Sequence, residues 1–244
     1  MKLSEFLFKS YGCNEPIYVD EVEYDTYSRS WIFNEFKKIV DSGDMKRFDK
    51  GIYYFPSSPD DDAGLDPQKI IQKRFIASGV DVYGYISGKS LLSDMGLSKE
   101  NPAMLELVTN NESSNMRVIT IGPVQVKARR SRTTVTRWNS KTLQYLDLIK
   151  ELNLDQLDEA RKRIMEKYIM DSTFTREAIL EYGRFFSAKV ARQALDYFDA
   201  VLLDKYSPKH AESFSVADYF SESDYSAYSK SKSIPDENAD REAV

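Results

Sequence analysis

The stretch SRSWIFNEFKKIVDSGDMKRFDKGIYYF, residues 28–55, decides how the front of this chain folds. Ser28 is a good N-cap, because its hydroxyl can accept from a free amide of the first helical turn. Behind it, Ile32, Phe36, Ile39 and Val40 fall at i, i+4, i+7 and i+8, one apolar helix face that also takes in Phe33. Gly43 stops the helix, since glycine accepts the left-handed conformation of a C-cap. Two β-prone runs follow, Met45–Phe48 and Gly51–Phe55, around the hairpin turn Asp49-Lys50-Gly51. Upstream lie a first helix, the β-like Pro16-Ile17-Tyr18-Val19, a short element at Asp20-Glu21-Val22 and a polar turn, Glu23 to Tyr27. Pro56 closes the unit, and SSPDDDAG (57–64) is a linker by composition, its run Asp60-Asp61-Asp62 read as a loop. The order helix, helix, helix, hairpin is that of a winged helix-turn-helix over residues 1–57, with the helix from Ser28 as its recognition helix.

At 100° per residue the face opposite the apolar one holds Ser30, Trp31, Asn34, Lys37, Lys38 and Asp41. Serine and asparagine can bond base edges, and lysines suit phosphates, which supply most of the affinity for duplex DNA. Arg29 stands at the helix start, and Lys46, Arg47 and Lys50 lie in the hairpin that would be the wing. The expected DNA-binding set is therefore Arg29, Ser30, Asn34, Lys37, Lys38, Lys46, Arg47 and Lys50. The same face is also that of an ordinary solvated helix, and many winged helices bind protein. Trp31 either packs on the first helix or meets a partner.

A second domain is expected over 66–206, β-containing in 66–138 and helical in 139–206. It opens at Asp66-Pro67, an N-cap with proline at N1, and its first helix points Ile70, Ile71 and Phe75 inward. Ser87 caps another helix. Strands follow at 104–109, 117–121 and 124–128, with a last one at 133–136, and then helices near 140–152, 155–170, 175–184 and 188–204. Between Arg117 and Tyr145 there are seven basic residues and no acidic one: Arg117, Lys127, Arg129, Arg130, Arg132, Arg137 and Lys141. In a chain of net charge −5 this stripe implies an anionic partner, whether DNA, RNA or an acidic protein face. It can equally be a charged sheet edge that discourages pairing. The Ser/Tyr/Asp-rich end, 207–244, lacks periodicity and is expected to be a disordered tail. The fold class expected is thus α+β: a winged helix-turn-helix, a mixed domain with a helical C-terminal part, and a tail.

Composition narrows the function. One cysteine, Cys13, allows no intrachain disulfide and suits a reducing compartment. No stretch of about 18 apolar residues exists, so no membrane span is expected and the cytoplasm is the default. The single histidine, His210, stands in a polar stretch, and no spaced metal-ligand cluster, phosphate loop or nucleophile elbow occurs. The expectation is a protein with no cofactor and no catalytic residue. A nuclease would need carboxylates converging beside the stripe.

Several strings taken together resemble one family. They are Asp41-Ser42-Gly43 after the helix, Arg47-Phe48-Asp49-Lys50-Gly51-Ile52-Tyr53-Tyr54, Ser90-Leu91-Leu92-Ser93-Asp94-Met95-Gly96-Leu97-Ser98, Leu107-Val108-Thr109-Asn110 and Phe185-Phe186-Ser187-Ala188-Lys189-Val190. The chain is similar over about residues 12–200 to the AbiEi-type antitoxins of type IV toxin–antitoxin and phage-defence systems. The resemblance implies a winged helix that binds its own promoter and represses its operon. It also implies a second domain that counters a nucleotidyltransferase toxin, with or without touching it. The acidic end has no counterpart in that pattern, and Trp31 and Glu35 on the helix leave the operator sequence open. The alternative is a module that does not bind DNA and uses the stripe to hold an acidic protein or an RNA.

Overall fold

Helix α1 (Leu3–Tyr11) is followed by strand β1 (Ile17–Tyr18) and a single 3-10 turn, Val19–Glu21. That turn is all that stands where the middle helical element was expected. In the computed structural model, which describes residues 1–25, 27–58 and 64–205, helix α2 spans Arg29–Asp41. The Ser28 hydroxyl accepts from the Trp31 amide at 3.3 Å, as an N-cap should. Gly43, at φ +87°, takes the chain out of the helix. Strands β2 (Lys46–Asp49) and β3 (Ile52–Tyr54) pair antiparallel, with a bulge between Arg47 and Asp49, and β1 pairs on the other side of β3. The sheet order is β1-β3-β2. Leu3 and Leu7 of α1, Ile17 of β1, Ile32, Phe36 and Ile39 of α2, and Met45 share one buried cluster.

Strand β3 is a wall between two cores. Its Tyr53 faces α2, where Phe36 meets it edge-on at 5.0 Å. Its Ile52 and Tyr54, on the opposite face by the period of two, join Ile70, Ile71, Phe75, Leu107, Ile121 and Val126. These come from the next elements. Helix α3 (Pro67–Ile71) starts at Asp66, whose carboxylate accepts from the Gln68 amide at 2.9 Å, and runs on into a π-turn, Gln72–Ile76. A small hairpin, β4 (Ala77–Ser78) and β5 (Asp81–Val82), leads to β6 (Gly84–Ile86), helix α4 (Gly88–Asp94) and strands β7 (Leu105–Thr109), β8 (Met116–Ile121) and β9 (Val124–Arg130). The four-stranded sheet has the order β6-β7-β9-β8, with β7 and β9 parallel and the other pairs antiparallel.

Helix α5 (Ser140–Glu151) is enclosed: every residue from Thr142 to Ile149 is buried. Its Leu143 shares a cluster with Tyr85 of β6 and Val108 of β7. A 3-10 turn, Leu154–Gln156, and helices α6 (Glu159–Met170), α7 (Arg176–Gly183) and α8 (Ala188–Lys205) complete the described chain. The chain divides into two units, Met1–Leu195 and Asp196–Val244, and the architecture above, up to Leu195 within α8, is that of the first. The fold class is mixed α+β.

Two local expectations are corrected. Residues 133–136 form no strand. The Asn110 side chain donates to the Val135 carbonyl and accepts from the Val135 amide, 2.8 Å each, and so stands in for a pairing strand. Ser87 precedes α4 but makes no side-chain cap bond; its hydroxyl accepts from Arg129 at 2.9 Å instead. The expected tail, His210 and the Asp60-Asp61-Asp62 run lie outside the described residues. Among the described residues no helix is long and apolar enough to cross a membrane.

Candidate nucleic-acid interface

Helix α2 turns Ser30, Asn34, Lys37 and Lys38 outward. Arg29 forms an ion pair with Asp20 at 3.5 Å, both side chains largely exposed, a contact worth little in water. Lys38 is paired one turn back with Glu35. On the hairpin Arg47 is exposed and donates from Nε to the Asp49 carbonyl at 3.2 Å. Lys50 is exposed at the tip, and Lys46 is half-buried. Among the described residues Lys37, Arg47 and Lys50 have no carboxylate partner. Residues 1–55 carry eight basic and ten acidic side chains, so attraction for a polyanion depends on this placement and not on net charge.

Two aromatic residues of α2 differ from the simple two-faced helix. Phe33, assigned to the apolar face, is 45% exposed. It lies about 90° round the helix from the centre of the buried stripe, beside Lys37 and Ser30. The signal was present in the helical phase but was masked by the residue's apolar character. Trp31, on the other shoulder, stacks on Tyr27 at 3.9 Å and on Tyr24 at 6.1 Å, and Tyr24 meets Phe6 of α1 at 5.1 Å. Trp31 is therefore a packing residue joining α2 to α1, off the outward face.

The stripe of seven cations is not one surface. Arg117 lies 3.0 Å from Glu112, whose side chain is nearly fully buried. Burial alone would push the Glu112 carboxyl up. The two hydrogen bonds from Ser114 and the Arg117 charge outweigh it and hold the group below the ordinary value. Lys127 pairs with Glu106 at 3.0 Å. Arg129 donates to Ser87 and sits 3.4 Å from Asp147, a buried carboxylate of α5 that also accepts from the Tyr85 hydroxyl at 2.9 Å. Burial, and then the Asp147 charge, keep the Tyr85 hydroxyl protonated far above its usual range. Sequence reasoning missed these three carboxylates because each lies outside 117–145.

Arg130, Arg132, Arg137 and Lys141 are exposed and have no carboxylate partner among the described residues, and Arg117 keeps about half of its side chain in solvent beside Glu112. Arg132 lies over the Phe186 ring at 4.8 Å and donates to the Phe185 carbonyl at 3.4 Å. Arg137 lies over the Trp138 ring at 4.2 Å. Lys141 donates to Gln144 at 3.3 Å. Among the described residues no group of three or more His, Cys, Asp or Glu is placed to hold a metal ion. No protein-family model matches the chain, and no match is found among curated proteins.

Proposed function

We propose that residues 1–57 are a winged helix-turn-helix, and that the chain is a cytoplasmic DNA-binding repressor acting as the antitoxin of a type IV toxin–antitoxin pair. One observation carries the DNA reading. The outward row Ser30, Phe33, Asn34 and Lys37 on α2 adjoins a sheet of order β1-β3-β2 whose hairpin bears Arg47 and Lys50. A major groove admits a helix of this kind. Asn34 would pair with adenine, Phe33 would rest on a thymine methyl, and Lys37, Arg47 and Lys50 would hold phosphates. The antitoxin half rests on the sequence resemblance. In it residues 66–206 counter a nucleotidyltransferase toxin, and no cofactor is needed.

A gel-shift of the pure protein on the DNA just upstream of its own gene tests the first half, with scrambled DNA as control and at two salt concentrations. The expected result is a sequence-specific shift that weakens with salt. No preference for its own promoter would overturn it and favour a protein-interaction module. Growth rescue on co-expression with a neighbouring nucleotidyltransferase gene tests the second half.

A further inference from the structure

The segment 131–139, between β9 and α5, carries the most exposed large apolar side chain among the described residues. Trp138 is 79% exposed, and its only ring partner among the described residues is the Arg137 guanidinium, 4.2 Å from the ring centroid. Packing does not account for this residue, unlike Trp31. The segment is not loosely held. Val135 is buried and clamped on both its backbone groups by Asn110. Buried Asn139 accepts from the Thr136 amide and donates to the Thr134 carbonyl, and Ser131 donates to Asn110. Phe186, after α7, packs on the same cluster as Val135, with Arg132 stacked on its outer side. Two arginine-on-aromatic pairs thus hang from one rigid support. Residues 130–141 hold four basic and no acidic side chain, and α5 adds the positive end of its dipole two residues past Trp138.

We propose that this surface binds unpaired nucleotides of a single-stranded nucleic acid, one base stacking on Trp138 while Arg130, Arg132 and Arg137 hold the flanking phosphates. An open indole face beside cations that have no carboxylate partner among the described residues is what an unstacked base needs, and every base has a face to offer. Duplex DNA hides those faces, and this irregular loop offers neither a helix nor a two-stranded ribbon to enter a groove. An acidic peptide would use the arginines but would gain nothing from the indole. The surface is separate from the α2 face and does not depend on it.

The test uses the full chain and fluorescein-labelled 15-nucleotide oligouridylate and oligothymidylate, a hairpin duplex, and polyphosphate as a polyanion without bases. Trp31→Phe leaves Trp138 as the sole tryptophan, and its emission should be quenched by either single strand. Trp138→Ala, at an exposed site where folding is not at risk, should weaken single-strand binding about tenfold or more by anisotropy. Arg137→Ala should weaken binding and flatten its salt dependence. Binding of uridylate alone would assign the surface to RNA, and of thymidylate alone to DNA. Single-strand affinity untouched by Trp138→Ala, or weakened by it no more than affinity for duplex and polyphosphate, would overturn the proposal.

Discussion

Asp147 of α5 joins Tyr85 of β6 and Arg129 of β9 in the interior. It receives the Tyr85 hydroxyl and the Arg129 guanidinium in a place where 3% of its own side chain is exposed. Removing Asp147 leaves the buried Tyr85 hydroxyl without its acceptor and the part-exposed Arg129 with Ser87 alone. Asp147→Ala should therefore lower stability by about 3 kcal/mol or more in urea unfolding, with loss of cooperativity as the warning sign of a wider collapse. Glu112 makes a pH prediction. Its folded-state pKa lies below the unfolded value, so its contribution is complete above the ordinary carboxylate range and is lost as pH falls through the folded value. Unfolding midpoints measured downward from pH 5 should fall less steeply in Glu112→Gln than in the parent. On α2 two neighbours separate by role. Lys37→Ala should weaken operator and scrambled DNA alike and reduce the salt slope by about one. Asn34→Ala should narrow the gap between the two DNAs by about 1–3 kcal/mol. Unchanged binding in both would mean that another face of the helix is used.

Among the elements, β6 is the one with no slack. A Cβ built on Gly84 would lie 2.0 Å from the Phe75 carbonyl oxygen and 2.6 Å from that of Val108. Both are backbone atoms, so no side chain can swing away. Gly84→Ala should cost about 3 kcal/mol or more, at the upper end of single-substitution effects, in thermal or chemical unfolding. The reason is architectural: the end of the α3 segment and strand β7 both close on the same residue, which holds the four-stranded sheet against its helix. The hairpin β2–β3 is similarly committed. Because β3 gives Tyr53 to one core and Ile52 and Tyr54 to the other, its register is held from both faces. A hairpin so held can present Arg47 and Lys50 at a fixed angle.

At the scale of the whole molecule the charge is unevenly spread. Residues 206–244 hold four basic and eight acidic side chains, which is four of the five net negative charges, and the first 205 residues stand at −1. The charge of that segment adds to the net charge a polyanion meets, against the cations of α2 and the hairpin. Deleting 206–244 should tighten binding to scrambled DNA several-fold at low salt, an effect that fades as screening shortens the reach of charge. A titration at two ionic strengths checks it. Equal affinity with and without the segment at low salt would show that the end does not act through charge.

The sequence by itself determined what is local. The phase of Ile32, Phe36 and Ile39, the hydroxyl of Ser28, the glycines at 43 and 51 and the Asp66-Pro67 start each act within a turn or two of chain, so helix α2, the hairpin and helix α3 were legible there. Phe33 is apolar in type but stands a quarter-turn off the buried stripe, so helical phase and not residue type sets its exposure. Tertiary structure alone decided which charges are available. Arg117, Lys127 and Arg129 are met by Glu112, Glu106 and Asp147 from outside the stripe, while Arg130, Arg132, Arg137 and Lys141 meet no carboxylate among the described residues. It also turned 133–136 from a strand into a loop, through one asparagine side chain 25 residues upstream. An ion pair or an amide clamp depends on which carboxylate or amide lies within about 3 Å, and in a folded chain that distance is set by packing and not by separation along the sequence.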